Sequence, residues 1–211
     1  MWLRTGRDTK AATRTLGAVL AAASALALAG CSADYVENSQ APVLLQIMAI
    51  NDGAQLDSDI RNGTSLAFDM DDLTNPFVCE NEVDVQVRVV NKNPNSPSVV
   101  ASDVVIDSYE IRYTRSDGRG TEGVDVPYRI TGNLTFFIEA GNDATFPLEV
   151  VRRQAKIDPP LTNIGQSTIL TVSAHITLFG KTTSDKRVSA VGQLQIDFAD
   201  FGDEDTSCPT N

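Results

Sequence analysis

Residues 170–178, LTVSAHITL, and 188–198, VSAVGQLQIDF, carry two runs of alternation separated by a short polar turn. In the first, Leu170, Val172, Ala174, Ile176 and Leu178 fall on one side and Thr171, Ser173, His175 and Thr177 on the other. In the second, Val188, Ala190, Leu194, Ile196 and Phe198 repeat the scheme. A period of two means a pleated strand with one face buried. The intervening GKTTSDK, residues 180–186, supplies turn residues, so the pair is expected to form a hairpin.

Working outward, Val83, Val85, Val87 and Val89 alternate with Asp84, Gln86 and Arg88. Weaker strands are expected at 43–50, 104–114, 134–139 and 145–152. Within them Tyr109, Ile111 and Tyr113 share a face, as do Phe146, Leu148 and Val150. Turn-rich separators stand at 91–98, 116–123, 140–143 and 157–167, and no segment after residue 31 shows the 3.6-residue period of an amphipathic helix. The expected fold class is therefore all-β, a single sandwich of about seven strands.

Strand count, spacing and the final hairpin resemble an immunoglobulin-like, Greek-key sandwich. The chain departs from antibody domains in lacking their core tryptophan, since its one tryptophan is Trp2. The resemblance implies strands running between two poles, with the start of the second strand and the end of the last at one pole.

The first thirty residues have a different character. Arg4, Arg7, Lys10 and Arg14 precede an apolar run from Leu16 to Gly30, which is shorter than the roughly 20 residues a membrane-spanning helix needs. A cleaved signal peptide is expected at 1–30. Its end, Leu28, Ala29, Gly30 and Cys31, resembles the lipobox of bacterial lipoprotein precursors. The resemblance implies cleavage before Cys31, acylation of that residue, and a membrane partner reached through the N-terminal lipid. It places the protein in the bacterial cell envelope. Ser32 follows the cysteine, which in diderm members of that family accompanies delivery to the outer membrane. Residues 31–41 then form a tether, 42–201 the sandwich and 202–211 an acidic tail.

Removing residues 1–30 takes away four basic residues and one acidic one, leaving 13 against 27 and a net charge of −14. Such a balance opposes nucleic acid and anionic lipid headgroups and favours solubility or cationic partners. With Cys31 assigned to lipid, Cys79 and Cys208 remain as a pair. In an oxidising compartment a disulfide is expected, the alternative being two free thiols.

Acidic residues crowd the pole where that pair is expected to meet. Asp69, Asp71, Asp72, Asp203 and Asp205 are the candidate ligands for calcium, which prefers six to eight oxygen donors. An EF-hand loop beginning at Asp69 fails, because Leu73 and Thr74 occupy a ligand position and the sharp-turn position. No nucleophile elbow, zinc motif or phosphate-cradling loop is present, and His175 is the one histidine. The chain is therefore expected not to be an enzyme and to need no cofactor. A hydrolase built on two carboxylates is a third reading, because such pairs leave no mark in sequence.

Phe137 and Phe179 lie off the apolar register and are expected to cover the second sheet or a loop. Arg152, Arg153 and Lys156 form a compact basic cluster, expected at a solvated strand end. The function expected from these features is a structural or protein-interaction module facing another envelope or surface protein, with no nucleic-acid partner and no small-molecule substrate. A calcium-dependent binding or adhesion domain is the alternative.

Overall fold

The computed structural model describes residues 40–61, 78–93, 95, 102–165 and 167–201. These hold eight strands: β1 (Val43–Ile50), β2 (Leu56–Asp59), β3 (Asn81–Asn91), β4 (Val104–Arg115), β5 (Ile130–Ile138), β6 (Asp143–Val151), β7 (Leu170–Thr182) and β8 (Arg187–Ala199). One helical turn, α1 (Arg153–Ile157), follows β6. The chain is mostly β, as its alternation dictates.

Two sheets form. One has the order β1-β3-β6 and the other β2-β8-β7-β4-β5. The larger sheet curls into a half-barrel. The buried faces are the ones the period of two assigns. Val83, Val85, Val87 and Val89 on β3 are at most 4% exposed, and Val172, Ala174, Ile176 and Leu178 on β7 at most 1%. Burying such side chains contributes about 1.5–3 kcal/mol for each larger one, which is what holds the layers together.

The chain crosses from the small sheet to the large one between β1 and β2. Asn51 and Asp52 both take φ of 52°, and Gly53 follows at 82°. Asn and Asp tolerate that left-handed conformation better than other side-chain-bearing residues. The Asn51 amide braces the turn by donating to the carbonyls of Ala54 and Gln55 at 3.2 and 3.1 Å. Strand β2 then runs parallel to the end of β8, Leu56 beside Ile196 and Asp59 beside Ala199. All other strand pairs are antiparallel.

Three local expectations are corrected. An eighth strand, β2, joins the seven. The strand expected at 134–139 is β5, which begins at Ile130 and pairs with β4. The segment around Lys156, expected to be a solvated strand end, is a helical turn folded back onto the protein.

Candidate functional site

Strand register defines two poles. At one, Val43 on β1 faces Asn91 on β3, Val104 on β4 faces Thr182 on β7, and the β7–β8 turn closes beside them. Backbone bonds tie these turns together: Lys92 N to Pro42 O at 3.0 Å and Thr183 N to Asp103 O at 2.8 Å. The opposite pole gathers the end of β2, the start of β3, α1 and the end of β8. There Ser58 donates to Asn81 Oδ1 at 2.8 Å, Ile60 N to Ala199 O at 3.0 Å, and Phe201 N to Asp59 Oδ1 at 3.2 Å.

Of the residues singled out in the sequence, Cys79 lies at this second pole, 3% exposed and carrying no free thiol. Cys208 lies outside the described residues. So do Leu28, Ala29, Gly30 and Cys31, and the calcium candidates Asp69, Asp71, Asp72, Asp203 and Asp205. Two of the described acidic residues of this pole have structural partners: Asp59 accepts from the Phe201 amide, and Glu80 pairs with Arg153 at 3.7 Å. Among the described residues no three metal-ligating side chains converge.

Lys156 is the group that the sequence misassigned most. It is 4% exposed, and its Nζ donates to the Asp59 carbonyl at 2.6 Å. Burial pulls its ammonium pKa down to about 8, against a smaller opposing pull from Asp59 and Glu80. Arg61 reaches the Thr162 carbonyl from the same side at 3.4 Å. Arg152 pairs with Glu149 at 3.3 Å and caps the Thr131 carbonyl at 3.2 Å. The basic cluster thus works as internal bracing between α1, β2 and β5. Nothing in its spacing signals burial, because a lone lysine on one turn of helix leaves no periodicity to read.

The outer face of the large sheet is polar. His175 sits there between Arg112 and Gln193, its Nδ1 in a 3.1 Å hydrogen bond with the Gln193 amide. Phe137 and Phe179 also lie on this face, Phe137 at 54% exposure, so they cover neither the second sheet nor a loop. Asp57 and Asp197 are neighbours in register across β2 and β8, and Asp197 Oδ1 is buried without a hydrogen-bond partner among the described residues. These two carboxylates share a register position on adjacent strands. They stand outside both of the cavities that follow.

One cavity is a groove of about 510 Å³ where β1, the β1–β2 turn and β8 meet. Met48, at the register shift between Ile47 and Ala49, is 50% exposed. Gly192 forms part of the wall, because a Cβ there would lie 2.7 Å from Ile50 Cδ1. The Gln195 amide donates to Gln55 Oε1 across the rim at 3.2 Å. Among the described residues no titratable side chain lines this groove. A second depression, about 300 Å³, lies among Ser108, Glu110, Thr131, Asn133 and Phe179, with Tyr109 and Gly132. Its one carboxylate, Glu110, is paired with Arg112.

No protein-family model matches the chain, and no curated protein matches it. Among solved structures it is similar to the solution structure of a candidate late embryogenesis abundant (LEA) protein. That similarity has 11% identity and a TM-score of 0.39, covering 93% of this chain and 95% of the other. At that level neither fold nor function passes from one to the other.

Proposed function

We propose that the protein is a bacterial lipoprotein, anchored through Cys31, whose immunoglobulin-like sandwich is a non-catalytic interaction module of the cell envelope. The groove between β1 and β8 carries the reading. It offers Ile47 and Leu194 beside a glutamine rim and an exposed methionine, with no titratable side chain among the described residues that line it. An open depression of this kind is suited to contact with a partner.

Sheet order supports the immunoglobulin-like assignment. Lettering the seven expected strands A to G makes the small sheet A-B-E, and the large one places G, F and C side by side. That is the constant-type arrangement with its fourth strand moved beside C. The lipobox-like stretch Leu28, Ala29, Gly30 and Cys31 supports the anchor.

Two measurements test the proposal. Metabolic labelling with an azide-bearing fatty acid should mark the wild-type chain and not Cys31→Ala; equal labelling of both removes the anchor. A photo-cross-linking residue at Met48 should trap an envelope protein that the same residue at Val124, 69% exposed elsewhere, does not trap. Identical products from both positions would sink the groove as the contact. The calcium alternative separates cleanly: a metal bound only by the folded chain raises the melting temperature at millimolar calcium, and the interaction reading leaves it unchanged.

A further inference from the structure

Four strands end the two sheets: β1 and β6 in the small one, β2 and β5 in the large one. An open edge invites another strand, and three of these edges carry a feature that discourages it. Strand β2 is four residues long and includes Asp57 and Asp59. Strand β6 has Pro147 at its centre, which has no N–H to give. Strand β1 is interrupted by the register shift between Ile47 and Ala49. Strand β5 has none of these. Its nine residues, ITGNLTFFI, include no charge and no proline, and exposure alternates without a break from Thr131 to Phe137.

Two backbone bonds fix which groups of β4 face β7. Ser116 N donates to Thr171 O at 3.1 Å near one end, and Thr183 N to Asp103 O at 2.8 Å near the other. In an antiparallel ladder every second residue bonds to the same neighbour. Tyr109 and Ile111 therefore turn their backbone groups toward β5, and so do Val104 and Ile106 on the other side of the register shift. Their partners on β5 are Gly132, Ile130, Ile138 and Phe136. The residues between them, Thr131, Asn133, Thr135 and Phe137, point their N–H and C=O groups at the open edge. Arg152 caps the Thr131 carbonyl there at 3.2 Å. Among the described residues no strand meets the other three.

We propose that a second copy of this chain covers this edge, β5 pairing antiparallel with β5 across a two-fold axis at Thr135. Asn133, Thr135 and Phe137 form a set symmetric about Thr135, so the pairing is self-complementary. Thr135 meets its own copy, Asn133 meets Phe137, and the capped Thr131 is left outside. The two large sheets become one continuous sheet.

The outer face supplies the second argument for this occupant. Phe137 stands there 54% exposed. Asn133, Ser108 and Phe179 form one row on the same face, and they line the depression of about 300 Å³. In the proposed register Phe137 of the second copy lies beside Asn133, at the mouth of that depression. Each copy offers one ring and one depression, so a single contact made twice covers both. The strand's neutrality also matters, because two acidic chains repel and β5 sets no like charges opposite one another. A pairing of five residues makes a small interface, suited to a reversible dimer. Strands β7 and β4 stand between β8 and β5, so the groove beside β8 stays open and the dimer is independent of the envelope-partner reading.

The test uses the full chain in mild detergent, with Cys31→Ser so that this thiol takes no part. Its protein mass in light scattering should rise with concentration toward that of a dimer. Thr135→Cys should link into a covalent dimer under mild oxidation, because paired Cα atoms lie about 5.5 Å apart, within disulfide reach. Asn133→Cys should not, since the two copies of residue 133 stand about 14 Å apart in this register. Phe137→Ser should raise the dimer dissociation constant at least about tenfold. Thr135→Pro should leave a monomer, with the melting temperature of both variants unchanged. If either variant melts early, the cysteine pair still decides. A monomer at every concentration, as when another part of this chain covers β5, overturns the proposal. So does a dimer untouched by Phe137→Ser, or equal linking from positions 133 and 135.

Discussion

Tyr113 on β4 donates its hydroxyl hydrogen to the carbonyl of Val150 on β6 at 2.7 Å, joining the two sheets through an otherwise apolar interior. Tyr113→Phe keeps the ring and leaves that carbonyl without this donor. Unfolding in urea should show a loss of about 1–2 kcal/mol. Burial pushes the phenol well above its ordinary value, so above pH 10 the unfolded chain releases this proton first. Stability should therefore fall as pH rises past 10, and less steeply in Tyr113→Phe. Equal slopes would mean that another group controls that range.

Lys156 gives the opposite slope at lower pH. Its folded pKa of about 8 lies below the ordinary 10.5, so between those values the unfolded chain holds more protons. Stability should rise from pH 8 toward 10, by up to roughly 3 kcal/mol. Lys156→Met should abolish that rise. If the variant and the parent keep the same pH profile in thermal melts, the ammonium is not buried in solution.

Gly180 permits a close approach of strands. A Cβ there would stand 2.5 Å from the Val105 carbonyl oxygen and 3.0 Å from Ile106 Cα, beside the register shift in β4. Backbone atoms cannot rotate away, so Gly180→Ala should destabilise by about 2–3 kcal/mol. Gly165→Ala, with no atom within 4 Å of its Cβ, should change stability by about 0.5 kcal/mol or less. A similar midpoint for both in chemical denaturation would contradict the packing described around Gly180.

Cys79 should prove to be bonded to Cys208. The end of β8 and the residues before β3 share a pole, and six residues separate Phe201 from Cys208. Peptide mapping without reductant should recover the linked pair. Cys79→Ser, Cys208→Ser and the double variant should lose the same stability, at most about 4–5 kcal/mol for a loop of this length. Additive losses would indicate two separate thiols.

The strands were legible where alternation was long. Val83 to Val89 and Leu170 to Leu178 declare their buried faces at every second residue, and β1 falls on the expected 43–50. Strand β2 was not legible. Its LDSD offers one large apolar residue, and the burial of Ser58 to 0% comes from neighbours distant in sequence. The start of β5 was hidden for a related reason: Gly132 fits under the ring of Tyr109, a complementarity of two strands that neither shows alone. Charged residues were the least readable. The sequence supplied net charge, but only the fold separates Lys186 and Arg187 at one end from the bracing Lys156 at the other.

The parallel pairing of β2 with β8 gives the protein a mechanical property. In an anchored chain, force enters before β1 and leaves beyond β8 if a partner pulls on the C-terminal side. β2 and β8 then slide past one another along their length, Leu56 against Ile196 through Asp59 against Ala199. Their hydrogen bonds are loaded together in shear instead of being peeled one at a time, so this short strand acts as the latch that resists extension.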